Sequence, residues 1–126
     1  MAASPSIQFF DGINESLDGV SLRRNRSTGQ RLVVMQFRHL RALERFNSFR
    51  AQSSNVMNLI DEEGVITVTP SYTKFFFGGE DGGEFEKLEC AFEIAEEHWE
   101  RLTRFLDRYA AANNMEYGEH QEQHEA

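Results

Sequence analysis

Apolar and polar residues alternate in short runs as far as Ile94, after which the period becomes helical. Ile7 to Phe10 is a short apolar run stopped by Asp11 and Gly12. Val20 to Arg26 then alternates, with Val20 and Leu22 on one face and Ser21 and Arg23 on the other. Ser27, Thr28, Gly29 and Gln30 are turn residues, and the run from Arg31 to His39 places Val33, Met35 and Phe37 on one face; together these segments predict a hairpin. In Leu40 to Phe49, Leu40, Leu43, Phe46 and Phe49 are spaced by three, which predicts a short helical connection. Val56 to Ile60 and Val65 to Thr69 predict a second hairpin around Asp61, Glu62, Glu63 and Gly64, where Gly64 supplies a positive φ. Pro70 marks a bend before Tyr72 to Phe77, and the Gly78 to Gly83 segment turns the chain into Phe85 to Ile94. Leu88, Cys90, Phe92 and Ile94 share one face of that strand. From Glu96 to Ala112, Trp99, Leu102, Leu106 and Tyr109 fall on one helical stripe that Phe105 widens, and Asn113 with Asn114 suits its end. Glu97 with Arg101 and Glu100 with Arg104 are spaced as i, i+4 pairs on that helix.

The predicted fold is α+β: a single domain with one mostly antiparallel sheet of five to six strands built from hairpins, and a C-terminal amphipathic helix packed on it. The domain spans 7–114, between a flexible N-terminus, 1–6, and a polar, disordered tail, 115–126. A length of 126 residues, 40% of them hydrophobic, fits that single domain. The longest apolar runs, Leu32 to Met35 and Phe75 to Phe77, fall far short of the ~18 residues that mark a membrane-spanning helix. The opening MAASPS has neither a signal region nor an acylation motif, so no address label is expected. The single cysteine, Cys90, forms no intrachain disulfide and no zinc cluster, which fits a reducing compartment.

Charge changes the picture through its placement. The net charge of −8 opposes bulk binding to polyanions. Residues 1–60 nevertheless carry eight arginines against four acids, a net of +4, while 61–126 carry five cations against 17 acids, a net of −12. Either the basic half faces an anionic partner, or the halves neutralise each other within one fold.

Chemistry-bearing motifs are few. Gly78, Gly79, Gly82 and Gly83 read as a hairpin turn, since no Gly-Lys-Ser/Thr follows and Glu80 with Asp81 repels phosphate. Asp61, Glu62 and Glu63 lack the spacing of a calcium loop and read as solvated turn charges. His120 and His124 fall in the polar tail. His39 and His98 have no nucleophile beside them, and Cys90 occupies a core-facing position, so no catalytic residue, metal site or cofactor is expected. Two surface features remain. Arg23, Arg24, Arg26 and Arg31 cluster on the first hairpin, where guanidinium groups suit carboxylates, phosphates or backbone carbonyls. Phe75, Phe76 and Phe77 are consecutive, so Phe76 points away from its neighbours' face, toward a partner or toward further cover from the same fold. An arginine and aromatic surface of this kind also fits a small single-stranded nucleic-acid-binding module.

The strings SIQFFDGI (Ser6 to Ile13), LRRNR (Leu22 to Arg26), LIDEEG (Leu59 to Gly64) and HWERLTRFLDRYAAANNMEYG (His98 to Gly118) resemble, in order, the Psb28 family of photosystem II accessory proteins. Asn58 stands where a typical member has Tyr before LIDEEG, and Leu40 to Ser54 is unusually aromatic and basic; both resemble the divergent second paralogue type of cyanobacteria. The resemblance implies a non-catalytic factor without pigment or cofactor. It docks peripherally on the cytoplasmic side of the thylakoid membrane, against assembly intermediates of photosystem II that contain the larger chlorophyll-binding inner antenna and the reaction-centre subunits. It also implies an antiparallel sheet that accepts a strand from the antenna's C-terminal tail, protection of the acceptor side, a monomeric chain and no nucleic acid. No functional residue is carried over from the family; Arg23, Arg24, Arg26, Arg31 and Phe76 are the interface residues expected from the reading of this chain alone.

Overall fold

The computed structural model describes residues 4–44 and 56–115. Eight strands follow one another: β1 (Ser6–Phe10), β2 (Ile13–Glu15), β3 (Gly19–Arg24), β4 (Arg31–Phe37), β5 (Met57–Asp61), β6 (Gly64–Val68), β7 (Tyr72–Gly78) and β8 (Glu84–Ile94). A 3-10 turn, Glu96–His98, leads into helix α1 (Trp99–Ala112). The α+β class and the hairpin construction are as predicted. The strands form two four-stranded antiparallel sheets, however, rather than one sheet of five to six: sheet A in the order β2-β1-β5-β6 and sheet B in the order β3-β4-β8-β7. The split arises because β1 skips the β3–β4 hairpin to pair with β5, Ile7 opposite Leu59, a choice that no local pattern encodes. The extra strand β2, only three residues long, carries too little alternation to announce itself.

The inner faces follow the two-residue period. Val33, Met35 and Phe37 of β4 and Leu88, Cys90 and Phe92 of β8 are fully buried, and they meet Ile7, Phe9, Met57 and Leu59 of sheet A in one core. Phe9 packs edge-on against Phe37, ring centroids 5.3 Å apart, joining the two sheets. Helix α1 contributes Leu102, Phe105, Leu106 and Tyr109 to the same core, each worth about 1.5–3 kcal/mol of transfer from water. The Tyr109 hydroxyl, buried in the core, accepts a hydrogen bond from the Leu17 amide at 2.9 Å and donates to the Glu15 carbonyl, fixing the helix to the β2–β3 connection. The helix ends as its asparagines predict: Asn114 takes φ 57° and the Met115 amide donates to the Ala110 carbonyl, a left-handed cap.

Of the predicted helix from Leu40 to Phe49, Leu43 and Glu44 are helical. The buried Glu15 carboxylate accepts the amides of Arg41 and Ala42 at 2.8 and 3.0 Å and so caps that turn. The rest of this prediction, the first three residues, and the tail from 116 with His120 and His124 lie outside the described residues.

Candidate interaction surfaces

The tip of the β3–β4 hairpin is built by Asn25. Its backbone bonds to Gln30, its side-chain oxygen accepts the amides of Ser27 and Thr28, and its side-chain nitrogen donates to Glu93 of β8 at 2.7 Å. Gly29 supplies the positive φ (79°) that closes the loop. This rigid tip displays Arg23, Arg24 and Arg26, all exposed, with Arg24 donating to the Gly29 carbonyl. Arg31 is spent differently. Its guanidinium pairs with Glu96 at 3.2 Å and lies 4.5 Å over the Trp99 ring, locking sheet B to the start of α1 and holding the Glu96 carboxyl below its ordinary range. Three of the four clustered arginines are thus available to a partner. Arg31 and Asn25 are also where the basic half meets acids of the other half.

Phe76 lies at the opposite lateral edge of sheet B, on β7, so it does not share one patch with the arginine tip. It points to the face away from the core, 37% exposed, with the Lys87 ammonium 4.9 Å from its ring. The register of β7 with β8 shifts after Phe76 at a bulge whose extra residue is Glu86 of β8, which sets Phe77 against Phe85 at 6.1 Å; Phe76 and Phe77 are both exposed. Beside them Lys74 lies over Tyr72, whose hydroxyl donates to Glu89 at 2.7 Å; that hydrogen bond to a carboxylate raises the phenol's pKa.

The acidic turn of LIDEEG is corrected most. Asp61 is not a solvated turn charge: its side chain is fully buried and accepts Arg101 at 2.7 and 3.0 Å and Arg108 at 2.9 Å. Glu63 accepts Arg104 at 2.7 and 2.9 Å and pairs with Arg108 at 2.7 Å. Burial pushes the Asp61 pKa up, but the two guanidinium groups and the Glu63 amide outweigh it and hold the carboxyl at about 2. Arg104 and then Arg108 lower Glu63 to about 2 as well. The predicted i, i+4 partners of Arg101 and Arg104 are therefore displaced by the β5–β6 turn. A signal was present in the sequence: Arg101, Arg104 and Arg108 recur at helical spacing, three guanidinium groups along one side of the helix.

Cys90 is buried, and desolvation pushes its thiol up to about 11, the condition of an inert packing group. No helix among the described residues is long and apolar enough to cross a membrane.

In this small α+β domain three arginines stand exposed on one hairpin tip, and Phe76 and Phe77 are exposed on β7. The chain belongs to the Psb28 family: the family model described as "Psb28 protein" matches residues 7–117. A protein of Synechococcus sp. (strain JA-2-3B'a(2-13)), named "Photosystem II reaction center Psb28 protein", is 34% identical over 113 residues, covering 87% of this chain and 95% of that one. A Thermosynechococcus vestitus protein named "Photosystem II assembly factor Psb28 protein" is 29% identical over 91% of this chain and 93% of its own. A chloroplastic relative in Arabidopsis thaliana is 25% identical over 93% of this chain and 61% of its own.

Proposed function

We propose that this chain is a non-catalytic assembly and repair factor of photosystem II. It binds transiently, as a peripheral protein, to the cytoplasmic face of thylakoid intermediates that contain the larger chlorophyll-binding inner antenna and reaction-centre subunits, and it conditions their acceptor side. The observation that carries this reading is the match along nearly the whole domain to a family that includes a relative named an assembly factor. Two physical features support it. Both sheets end in strands without a second neighbour among the described residues, which is what acceptance of a partner strand requires. Arg23, Arg24 and Arg26 stand on a tip already rigid in the free chain, so little side-chain and loop order is lost when they meet carboxylates or carbonyls of a partner's loops. Asn58 and the aromatic, basic segment from Leu40 to Ser54 favour the second paralogue type.

Tagged chain recovered from gently solubilised thylakoid membranes carries incomplete photosystem II with the inner antenna and little of the finished complex. The triple variant R23E/R24E/R26E, which folds because all three side chains are exposed, loses that cargo. Unchanged recovery removes the arginine tip from the interface, and wild-type recovery of RNA without photosystem subunits replaces the whole reading with the nucleic-acid one.

A further inference from the structure

Where β4 ends, acids of the β2–β3 connection hold the chain. The Asp18 carboxylate accepts the Arg38 amide at 2.6 Å, and the Glu15 carboxylate caps the turn at Arg41 and Ala42. These bonds go to main-chain groups, so they fix the segment and leave its side chains uncommitted. With the start of β8 the segment walls a cleft of about 490 Å³, lined by Arg38, His39, Leu40, Leu43, Phe85 and Glu86. That size falls within the ~300–1,000 Å³ range of sites that hold a bound group. Its apolar part is anchored, because Leu40 and Phe85 are half-buried and pack on the core. Phe77, 49% exposed, meets Phe85 edge-on at 6.1 Å and extends the apolar surface past the cleft.

The charged side chains of the cleft are unsatisfied. Arg38 is exposed, and among the described residues no carboxylate or carbonyl meets its guanidinium. Arg31, Arg101, Arg104 and Arg108, by contrast, each hold a carboxylate of this chain. Glu86, the extra residue of the β8 bulge, lies across the backbone of Gly78, where a larger residue would displace it. Arg38 and Glu86 thus line one cleft without forming an ion pair with each other. An apolar side chain loses its water against Leu40, Leu43 and Phe85, and a carboxylate beside it gives the Arg38 guanidinium the bidentate partner that it lacks. An anionic lipid surface fits less well. It would meet Glu80, Asp81, Glu84 and Glu86 of the same hairpin together, whereas a single carboxylate has only to reach Arg38.

Building on the docking role above, we propose that this cleft is an anchor pocket, and that its occupant is a loop of the partner complex that inserts one bulky apolar side chain between Leu40, Leu43 and Phe85 and sets a neighbouring Asp or Glu against Arg38. The walls are fixed before binding, so insertion orders little of this chain. A buried apolar anchor beside a satisfied arginine is the combination that dominates protein interfaces.

The test uses the tagged full chain bound to gently solubilised thylakoid membranes. It carries the photoreactive substitution Phe77→p-benzoylphenylalanine beside the cleft or, as a control, the same substitution at Asp11, exposed in the β1–β2 turn. After irradiation, mass spectrometry identifies the cross-linked peptides. Position 77 cross-links to a photosystem II subunit at a segment where a bulky apolar residue neighbours Asp or Glu, and position 11 does not. Adding R38E lowers that cross-link at least about tenfold with unchanged circular dichroism, as reversal of a charge that faces a carboxylate predicts. If R38E does not fold, R38Q carries the comparison, because it removes the charge and introduces none. An undiminished cross-link in folded R38E, a cross-linked segment without an acid, equal cross-linking from position 11, or recovery of photosystem subunits with no cross-link from position 77 overturns the pocket and leaves the assembly role standing. A cross-link to lipid, to a second copy or to residues 45–55 of the same chain assigns the cleft to that occupant and also overturns the proposal. Failure of the unsubstituted chain to recover any photosystem subunit overturns the role itself.

Discussion

Replacing Asp61 by Asn keeps the side chain's volume and removes the charge on which Arg101 and Arg108 converge. The folded pKa of about 2, against an ordinary 3.8, corresponds through proton linkage to roughly 2 kcal/mol of stability at neutral pH. Losing one partner of a fully dry ion pair costs about 3–5 kcal/mol, which is an upper bound here. Arg101 and Arg108 are 23% and 30% exposed, so water screens both, and Glu63 still holds Arg108 in the variant. The expected loss is therefore about 2 kcal/mol, equivalent to a fall in Tm of roughly 8 °C for a domain of this size. The carboxyl's folded pKa lies below its unfolded one. Its contribution is thus complete above the unfolded value, declines below about pH 4 and vanishes as the pH falls through about 2. Urea titrations of wild type and D61N, followed by circular dichroism at pH 7, 5, 3 and 2, measure the gap directly. The reasoning requires a full gap at pH 7 and 5 that closes toward pH 2, where a protonated Asp resembles Asn. A gap below about 0.5 kcal/mol at pH 7, the size of an ordinary surface change, refutes it, as does a gap that does not shrink in acid.

Other outcomes follow from the core. Y109F leaves the Leu17 amide without its buried acceptor and costs about 1–3 kcal/mol in chemical denaturation, with the core otherwise intact; a neutral result would mean that water replaces the hydroxyl. Cys90 in the native protein resists iodoacetamide at pH 8 and reacts at the rate of a free thiol in urea, because burial both blocks it and keeps it protonated. Rapid native labelling, read by mass spectrometry, would show that β7 opens away from β8.

What the sequence made legible was whatever a short window decides. Gly29 and Gly64 marked their turns because each needs a positive φ, and the inner faces of β4, β8 and α1 were read correctly because burial imposes a period of 2 or 3.6. The division into two sheets was not legible, since Ile7 meets Leu59 across an intervening hairpin that belongs to the other sheet. The same blindness to long range misread Asp61 and Glu63. A run of acids beside a glycine has the composition of a solvated turn, and only the docking of α1 places Arg101, Arg104 and Arg108 against it. At the surface, counting arginines found the β3–β4 tip but did not reveal that Arg31 is engaged by Glu96 and Trp99.

The pairing of β1 with β5 also sets the order in which the molecule can be made. Emerging from the ribosome, β1 and β2 have only each other to pair with until β5, in the middle of the chain, has been translated, and the β3–β4 hairpin must wait for β8. Only α1, the last element of the domain, closes the shared core, and only then do its arginines seize the β5–β6 turn. A topology so dominated by distant contacts folds slowly, on the millisecond-to-second scale of non-local β proteins. The β5–β6 turn is consequently unclamped from its own synthesis until α1 docks, and in that interval the open edge of β6 is exposed to wrong strand pairing.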